Sequence, residues 1–309
     1  MFALIFPGQG SQRPGMGRPW ADDPSWSLVA ALGEICGRDV GALLLDADAD
    51  TLRATRNAQI ATFALSLVIL DAARRRGLDG ADVTAVAGHS LGEYTALVAA
   101  GAVSDDEGAR LVTERGEAMQ HAAEIRPGTM AAVLGLESDG VDAACEGVDE
   151  AWVANDNAPG QVVIAGTAAG VEEAGSRAKE LGAKRVMALP VGGAFHTPLM
   201  SAAQDRLDAA LRTARFRPPS TPVVANVDAV AHGDDEGWRT RLGDQLCQPV
   251  RWRESLLALR ALGVRHFIEL GPGTELSGMV KRTVEGAGRL HVATPEDLPG
   301  LAGDIAAAT

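Results

Sequence analysis

Apolar positions along this chain come in short dense runs that glycine-rich turns cut off. Met1-Phe2-Ala3-Leu4-Ile5-Phe6 breaks at once into Pro7-Gly8-Gln9-Gly10, which predicts a first strand. It has neither the basic start nor the long apolar stretch of a signal peptide. Val83-Thr84-Ala85-Val86-Ala87 predicts a buried strand, and residues 93–100 a helix that stops at Gly101. The apolar run at 60–70 is too short to span a bilayer and includes Thr62 and Ser66, so it predicts a core helix. Through roughly the first 120 residues strand-like and helix-like segments alternate, the pattern of a parallel α/β sheet.

The pattern changes at about 129–189. Strand-like runs at 130–134, 151–154, 162–165 and 185–189 are interleaved with helical stretches that begin at 140 and cover 171–181. The order is βαββαβ, a ferredoxin-like arrangement. We therefore expect an α/β-hydrolase-like large part, residues 1–125 and 194–309, with a ferredoxin-like small subdomain, 126–193, inserted into it. Ligand sites favour the cleft at such a junction. After the insertion, Thr197-Pro198 is a helix start, and strands are expected at 222–226 and 264–270. The second runs into Gly271-Pro272-Gly273 and a helix opening at Thr274, either an anion site on a helix N-terminus or a plain structural corner. There are no internal repeats, and the tail from 298 onward is expected to be loosely held.

Composition narrows the possibilities. With 309 residues the chain can bury one large core plus a smaller unit. Cys36, Cys145 and Cys247 are scattered without a C-x-x-C pair, which argues against a disulfide framework or a zinc site and fits a reducing cytoplasm. A formal net charge of -13 argues against nucleic-acid or anionic-membrane partners. Local basic patches remain at Arg74-Arg75-Arg76, Lys184-Arg185 and Lys281-Arg282. An acidic partner can dock on such a patch, although solvated helix ends and strand flanks look the same in a sequence.

Between the predicted strand and helix at 83–100 lies Gly88-His89-Ser90-Leu91-Gly92. A G-x-S-x-G in that setting reads as a nucleophile elbow, with the serine on a tight turn and the helix N-terminus offering an N–H to a developing oxyanion. A serine hydroxyl needs a base. Of six histidines, His89 adjoins the serine and is expected to point away from it. His121 lies on a predicted helix, His232 in an acidic loop, and His266 and His291 within strand patterns. His196, in a loop at the edge of the inserted unit, leads the candidates. No acid stands out as a third triad member, which leaves a backbone carbonyl as one way to orient the imidazole. Arg115 is either a surface ion-pair partner or, facing the cleft, a bidentate clamp for a substrate carboxylate.

Together these residues resemble the malonyl-CoA:acyl carrier protein transacylases of fatty-acid and polyketide synthesis, over approximately residues 2–285. The resemblance is carried by Phe6-Pro7-Gly8-Gln9-Gly10-Ser11-Gln12, Gly88-His89-Ser90-Leu91-Gly92-Glu93-Tyr94 and Arg115-Gly116. It continues in Asn157-Ala158-Pro159-Gly160-Gln161, Ala194-Phe195-His196, Gln245-Leu246 with Pro249-Val250, and Glu269-Leu270-Gly271-Pro272-Gly273. It implies Ser90 as the acylated nucleophile, His196 as base, the main-chain carbonyl of Gln245 as its orienting acceptor, and the N–H groups of Gln9 and Leu91 as oxyanion hole. Arg115 would bind the malonyl carboxylate, with Gln59 and Asn157 lining the pocket.

The implied reaction is ping-pong transfer from malonyl-CoA to the phosphopantetheine thiol of an acidic carrier protein, with no resident cofactor or metal. Phe195 would crowd a substituent on the acyl α-carbon, where one methyl decides only ~1–3 kcal/mol. It matches the malonyl-selecting polyketide pattern, from which Gly193 departs. Lys281 and Arg282 are the first candidates for carrier docking. The rivals are the transacylase component of a malonate decarboxylase, a trans-acyltransferase for another extender unit, a serine hydrolase, and an inert scaffold. A charged Arg115 in the acyl pocket argues against the hydrolase.

Overall fold

The computed structural model describes residues 1–308. Its strands are β1 (Phe2–Phe6), β2 (Val83–Gly88), β3 (Thr129–Leu134), β4 (Ala151–Ala158), β5 (Gln161–Gly166), β6 (Arg185–Ala188), β7 (Val223–Val224), β8 (Ala231–His232), β9 (His266–Leu270) and β10 (Gly288–Val292). Six of them form one sheet in the order β10-β9-β1-β2-β7-β8, parallel except for the antiparallel edge strand β8. In β1, Phe2, Leu4 and Phe6 enter the core on one face, and Ala3 and Ile5 enter the core on the other. A central parallel strand is covered on both sides, so an unbroken apolar run is what its position demands. The helices Thr55–Arg75 and Asp105–Ile125 contribute to the first core; Trp252–Ala261 and Glu275–Thr283 contribute to the second.

The other four strands form an antiparallel sheet in the order β4-β5-β3-β6. Strand periodicity divides its faces. Ala131, Val133, Val162 and Ile164 pack with Val141, Ala144, Val171, Ala174 and Ala178 of the helices Ser138–Cys145 and Ala168–Glu180. Met130, Ala132 and Val163, on the alternate positions, line a cleft against the first sheet. β4 ties the two together: Asp156 N donates to Val250 O (3.0 Å), Val250 N donates to Ala154 O (2.9 Å), and Arg253 pairs with Asp156 at 2.9 Å. The chain is thus mixed α/β with a parallel sheet at its centre.

Several expectations need correction. The alternation expected over the first 120 residues holds, but with only two strands in it: between the parallel pair β1 and β2 the described chain contains only helices. The strand expected at 222–226 shrinks to β7, because the chain turns back at once: Ala225 N bonds Val230 O, and Ala229 sits at φ 57°. Thr197 caps a 3-10 turn, Pro198–Met200, before the helix Ser201–Thr213 begins. The tail expected to be loose is helical over Leu298–Ala308, with Leu298, Leu301 and Ile305, spaced to share one face, buried; residue 309 lies outside the described residues. No described helix is long and apolar enough to cross a membrane.

Candidate active site

The elbow is built by strand, turn and helix. β2 ends at Gly88, the helix Gly92–Ala99 follows, and Ser90 between them is held at φ 52°, a left-handed conformation that a non-glycine residue rarely adopts. The flanking Gly88 and Gly92 do not take the left-handed conformation themselves; they serve for space. A Cβ on Gly92 would lie 2.1 Å from Phe6 O, and one on Gly88 would lie 1.9 Å from the Gly92 carbonyl carbon. The Pro7-Gly8-Gln9 loop therefore crosses directly against the elbow. Gly92→Ala should cost about 1–3 kcal/mol of stability and displace that loop. Denaturant unfolding would measure it, and an unchanged midpoint would contradict the packing described.

Ser90 Oγ–H donates to His196 Nε2 at 2.8 Å, and His196 Nδ1–H donates to the main-chain O of Gln245 at 2.7 Å. That pairing fixes the tautomer, leaving the Nε2 lone pair toward the serine. His196 is itself left-handed, φ 61°. Burial, and next the Arg115 charge, push its pKa down to about 3, so the imidazole is a neutral, proton-accepting base at neutral pH. Of the other histidines, His232 bonds Asp228, while His121 and His291 are exposed. His89 makes its hydrogen bond to Asn157 Oδ1, 2.7 Å, because β4 reaches over the elbow. Its ring stands edge-on to Trp252, 5.5 Å between centroids, in keeping with a side chain turned from the nucleophile, and the residue still borders the cleft.

Arg115 is buried beneath the serine, not on the surface. Its Nη2 donates to Ser90 Oγ (3.0 Å) and Gln245 Oε1 (2.8 Å), and Nη1 donates to Gln59 Oε1 (2.8 Å). Its Nε makes no hydrogen bond among the described residues. Gln59 thus stands behind Arg115 instead of lining the pocket, since the helix Thr55–Arg75 that carries it packs behind the helix carrying Arg115. Asn157 and Phe195 do line the cavity, which holds about 250 Å³. Met119, Met130, Val163, Leu189 and Val191 supply apolar wall, and Gln9, Asn155 and Gln161 polar edge. The N–H groups of Gln9 and Leu91 have no hydrogen-bond partner among the described residues.

Two site residues and the side-chain role of a third escaped the sequence reading. Glu93, Asn226 and the Gln245 side chain are buried around the elbow and joined by hydrogen bonds. Glu93 follows the motif directly, and a carboxylate in an otherwise apolar helix was the available signal. The Gly-Pro-Gly corner also resolves: Glu269 accepts from Leu276 N (3.1 Å) and Ser277 N (2.7 Å). The helix N-terminus is already occupied by the chain's own carboxyl group, and this favours the structural corner. Lys281 and Arg282 are exposed on the last turn of that helix, whose Glu275, Leu276 and Met279 line the cavity. Arg282 bonds Gln161 at the cavity edge. In the 74–76 patch, Arg75 is tied to Asp71 and Arg74 to Ala99 O.

Residues 3–299 match the acyl transferase domain family. The chain belongs to that family. This acyl transferase is 40% identical over 302 residues to the malonyl CoA-acyl carrier protein transacylase of Bacillus subtilis, covering 96% of this chain and 94% of that protein. The Escherichia coli K12 protein of the same name is also 40% identical, over 92% of this chain and 93% of its own. Among solved structures, the acyl carrier protein S-malonyltransferase of Vibrio cholerae superposes with a TM-score of 0.92 at 39% identity, covering 97% of this chain and 99% of that one. A malonyl-transacylase in complex with a type II polyketide synthase acyl carrier protein superposes at 0.92 and 36% identity, covering 98% and 99%.

Proposed function

We propose that this acyl transferase moves a malonyl group from malonyl-CoA to the phosphopantetheine thiol of an acyl carrier protein, by way of a malonyl ester on Ser90. The observation that carries this is a buried arginine on the nucleophile's own oxygen, with no acidic side chain on the base. A hydrolase of neutral acyl chains has no use for a desolvated guanidinium under its serine, whereas an acyl group with its own carboxylate does. The relatives' shared name favours the same donor and acceptor over the malonate decarboxylase and hydrolase alternatives.

In the first half-reaction Ser90 Oγ attacks the thioester carbon as its proton passes to His196 Nε2. The N–H groups of Gln9 and Leu91 are assigned to the oxyanion, and the Gln245 carbonyl steadies the imidazolium. The C–S bond breaks, and the CoA sulfur leaves with the proton from His196. In the second half the carrier thiol gives its proton to His196 and attacks the ester carbon. The C–O bond to Ser90 breaks, and Ser90 recovers the proton. Every proton moves between side chain and substrate, so no resident cofactor or metal is invoked. Arg115 holds the malonyl carboxylate and keeps the acyl group out of reach of water, while Asn157 and Phe195 shape the pocket, Phe195 against α-substituted units.

The antiparallel unit is read as a ferredoxin-like insertion, residues 126–193, on an α/β-hydrolase-like body, because its order is βαββαβ with β3 and β5 central. A cytoplasmic setting follows from its substrates and cysteines. Lys281 and Arg282 are assigned to the carrier protein, since they rim the cleft on a chain that is otherwise strongly acidic. Reversing both charges should raise the KM for holo carrier protein about tenfold, less at high salt, and leave acylation by malonyl-CoA unchanged. Equal KM values in steady-state transfer assays would move the docking surface elsewhere. The function itself is tested by comparing malonyl and acetyl transfer to holo carrier protein; a preference for acetyl would refute it.

A further inference from the structure

We infer that Glu93 is a positioning residue for this chemistry: by paired hydrogen bonds its buried carboxyl fixes Asn226 and the side-chain amide of Gln245, and so sets His196 and Arg115 around Ser90. The inference rests on the transfer reaction assigned to Ser90 above. Glu93 Oε1 accepts from Asn226 N at 2.7 Å, and Oε2 accepts from Gln245 Nε2. Asn226 passes the constraint to the elbow: its Oδ1 accepts from Ser90 N and its Nδ2 donates to Gly88 O, each at 2.7 Å. Gln245 passes it to the reacting groups. Its Nε2 donates also to Ser90 O (3.0 Å), its Oε1 accepts from Arg115, and its main-chain O accepts from His196.

An amide side chain has a donating and an accepting end, and its neighbours decide which faces where. Arg115 can only donate, so it requires Oε1. Glu93, with both oxygens accepting, requires Nε2. The two demands agree, and a single residue is locked between base, clamp and elbow. Glu93 itself does not line the cavity and makes no hydrogen bond to Ser90 Oγ, so it acts through others. Removing its acceptor leaves Nε2 held by Ser90 O alone and allows the amide to turn its donors toward the guanidinium.

The lock responds to protonation. Burial pushes Glu93 up to about 8, against the opposing pull of the Asn226 and Gln245 hydrogen bonds and the Arg115 charge, while Asp228 pushes it further up. The groups facing it are Arg115, Tyr94 beside it on the elbow helix, Asp228, and the neutral donors of Asn226 and Gln245. A proton on the carboxyl converts one acceptor into a donor, which opposes the Gln245 amide. Malonyl acylation should therefore rise with pH through this range.

The test is a double-mutant cycle on the full chain with Glu93→Gln, Gln245→Ala and the pair together. It reads the rate of Ser90 acylation by malonyl-CoA and acetyl-CoA across pH 6–9, roughly one unit either side of neutral and of the Glu93 titration. Glu93→Gln should slow malonyl acylation by about tenfold or more, lower the malonyl-to-acetyl preference and flatten the pH response. In the Gln245→Ala background the same change should have little further effect, and Glu93→Asp should recover part of the rate with its pH response. Effects that simply multiply, or a Glu93→Gln enzyme within about twofold of the parent, overturn the inference. If Glu93→Gln does not fold, Glu93→Asp carries the cycle with Gln245→Ala, and rate effects that simply multiply in that cycle overturn the inference equally. A parent chain that takes no malonyl group refutes the transfer reading first, and the two failures are told apart by that control.

Discussion

His196→Ala is expected to slow acylation of Ser90 by malonyl-CoA by about 10³-fold. In the folded chain Nε2 is the acceptor for the serine proton at 2.8 Å, and its depressed pKa keeps it unprotonated at neutral pH. Without it the hydroxyl must release its proton to water inside a buried site, with only the Arg115 N–H left to stabilise the alkoxide. The variant also strips the Gln245 carbonyl of its donor, an unsatisfied buried acceptor that costs about 1–3 kcal/mol of stability. Single-turnover acylation measured alongside thermal unfolding separates the two effects. A folded variant within about tenfold of the parent would remove His196 from the mechanism.

Arg115→Ala is expected to lower kcat/KM for malonyl-CoA by about 10²–10³-fold, with a far smaller change for acetyl-CoA. The guanidinium is desolvated and its two Nη groups are held by Gln59, Gln245 and Ser90, so a carboxylate arriving there meets a preorganised charge. Arg115→Lys retains the charge and loses the planar fork, and should fall between the two. Truncation has a second consequence. The Arg115 charge pulls the Glu93 pKa down, so without it Glu93 holds its proton to higher pH. A parallel loss for both acyl donors would mean that Arg115 supports the elbow but does not select the acyl group.

The parts of this site that lie in contiguous strings were legible in the sequence. Ser90 sits in a motif whose glycines are needed because Phe6 and Gly92 nearly touch, and His196 marks a loop leading into a capped turn. The missing acid was legible as well, and the Gln245 carbonyl occupies its place. What escaped depends on partners far along the chain. Glu93 and Asn226 are 133 residues apart, and neither type is distinctive until burial pairs the Glu93 carboxyl with Asn226 N. Gln59 was placed in the pocket because a motif position carries no information about which face of a buried helix meets Arg115. The same blindness made the tail look loose: Leu298, Leu301 and Ile305 form an apolar face only once the chain offers a surface to receive them.

The central claim is that Ser90 carries the acyl group between two thiols. Intact-protein mass measurement with malonyl-CoA, followed by peptide mapping and addition of holo carrier protein, tests it most directly. The expected result is one malonyl group on Ser90, stable in water on the assay timescale and discharged on addition of the carrier thiol. No adduct, an adduct on another residue, or loss to water as fast as to the carrier would contradict it.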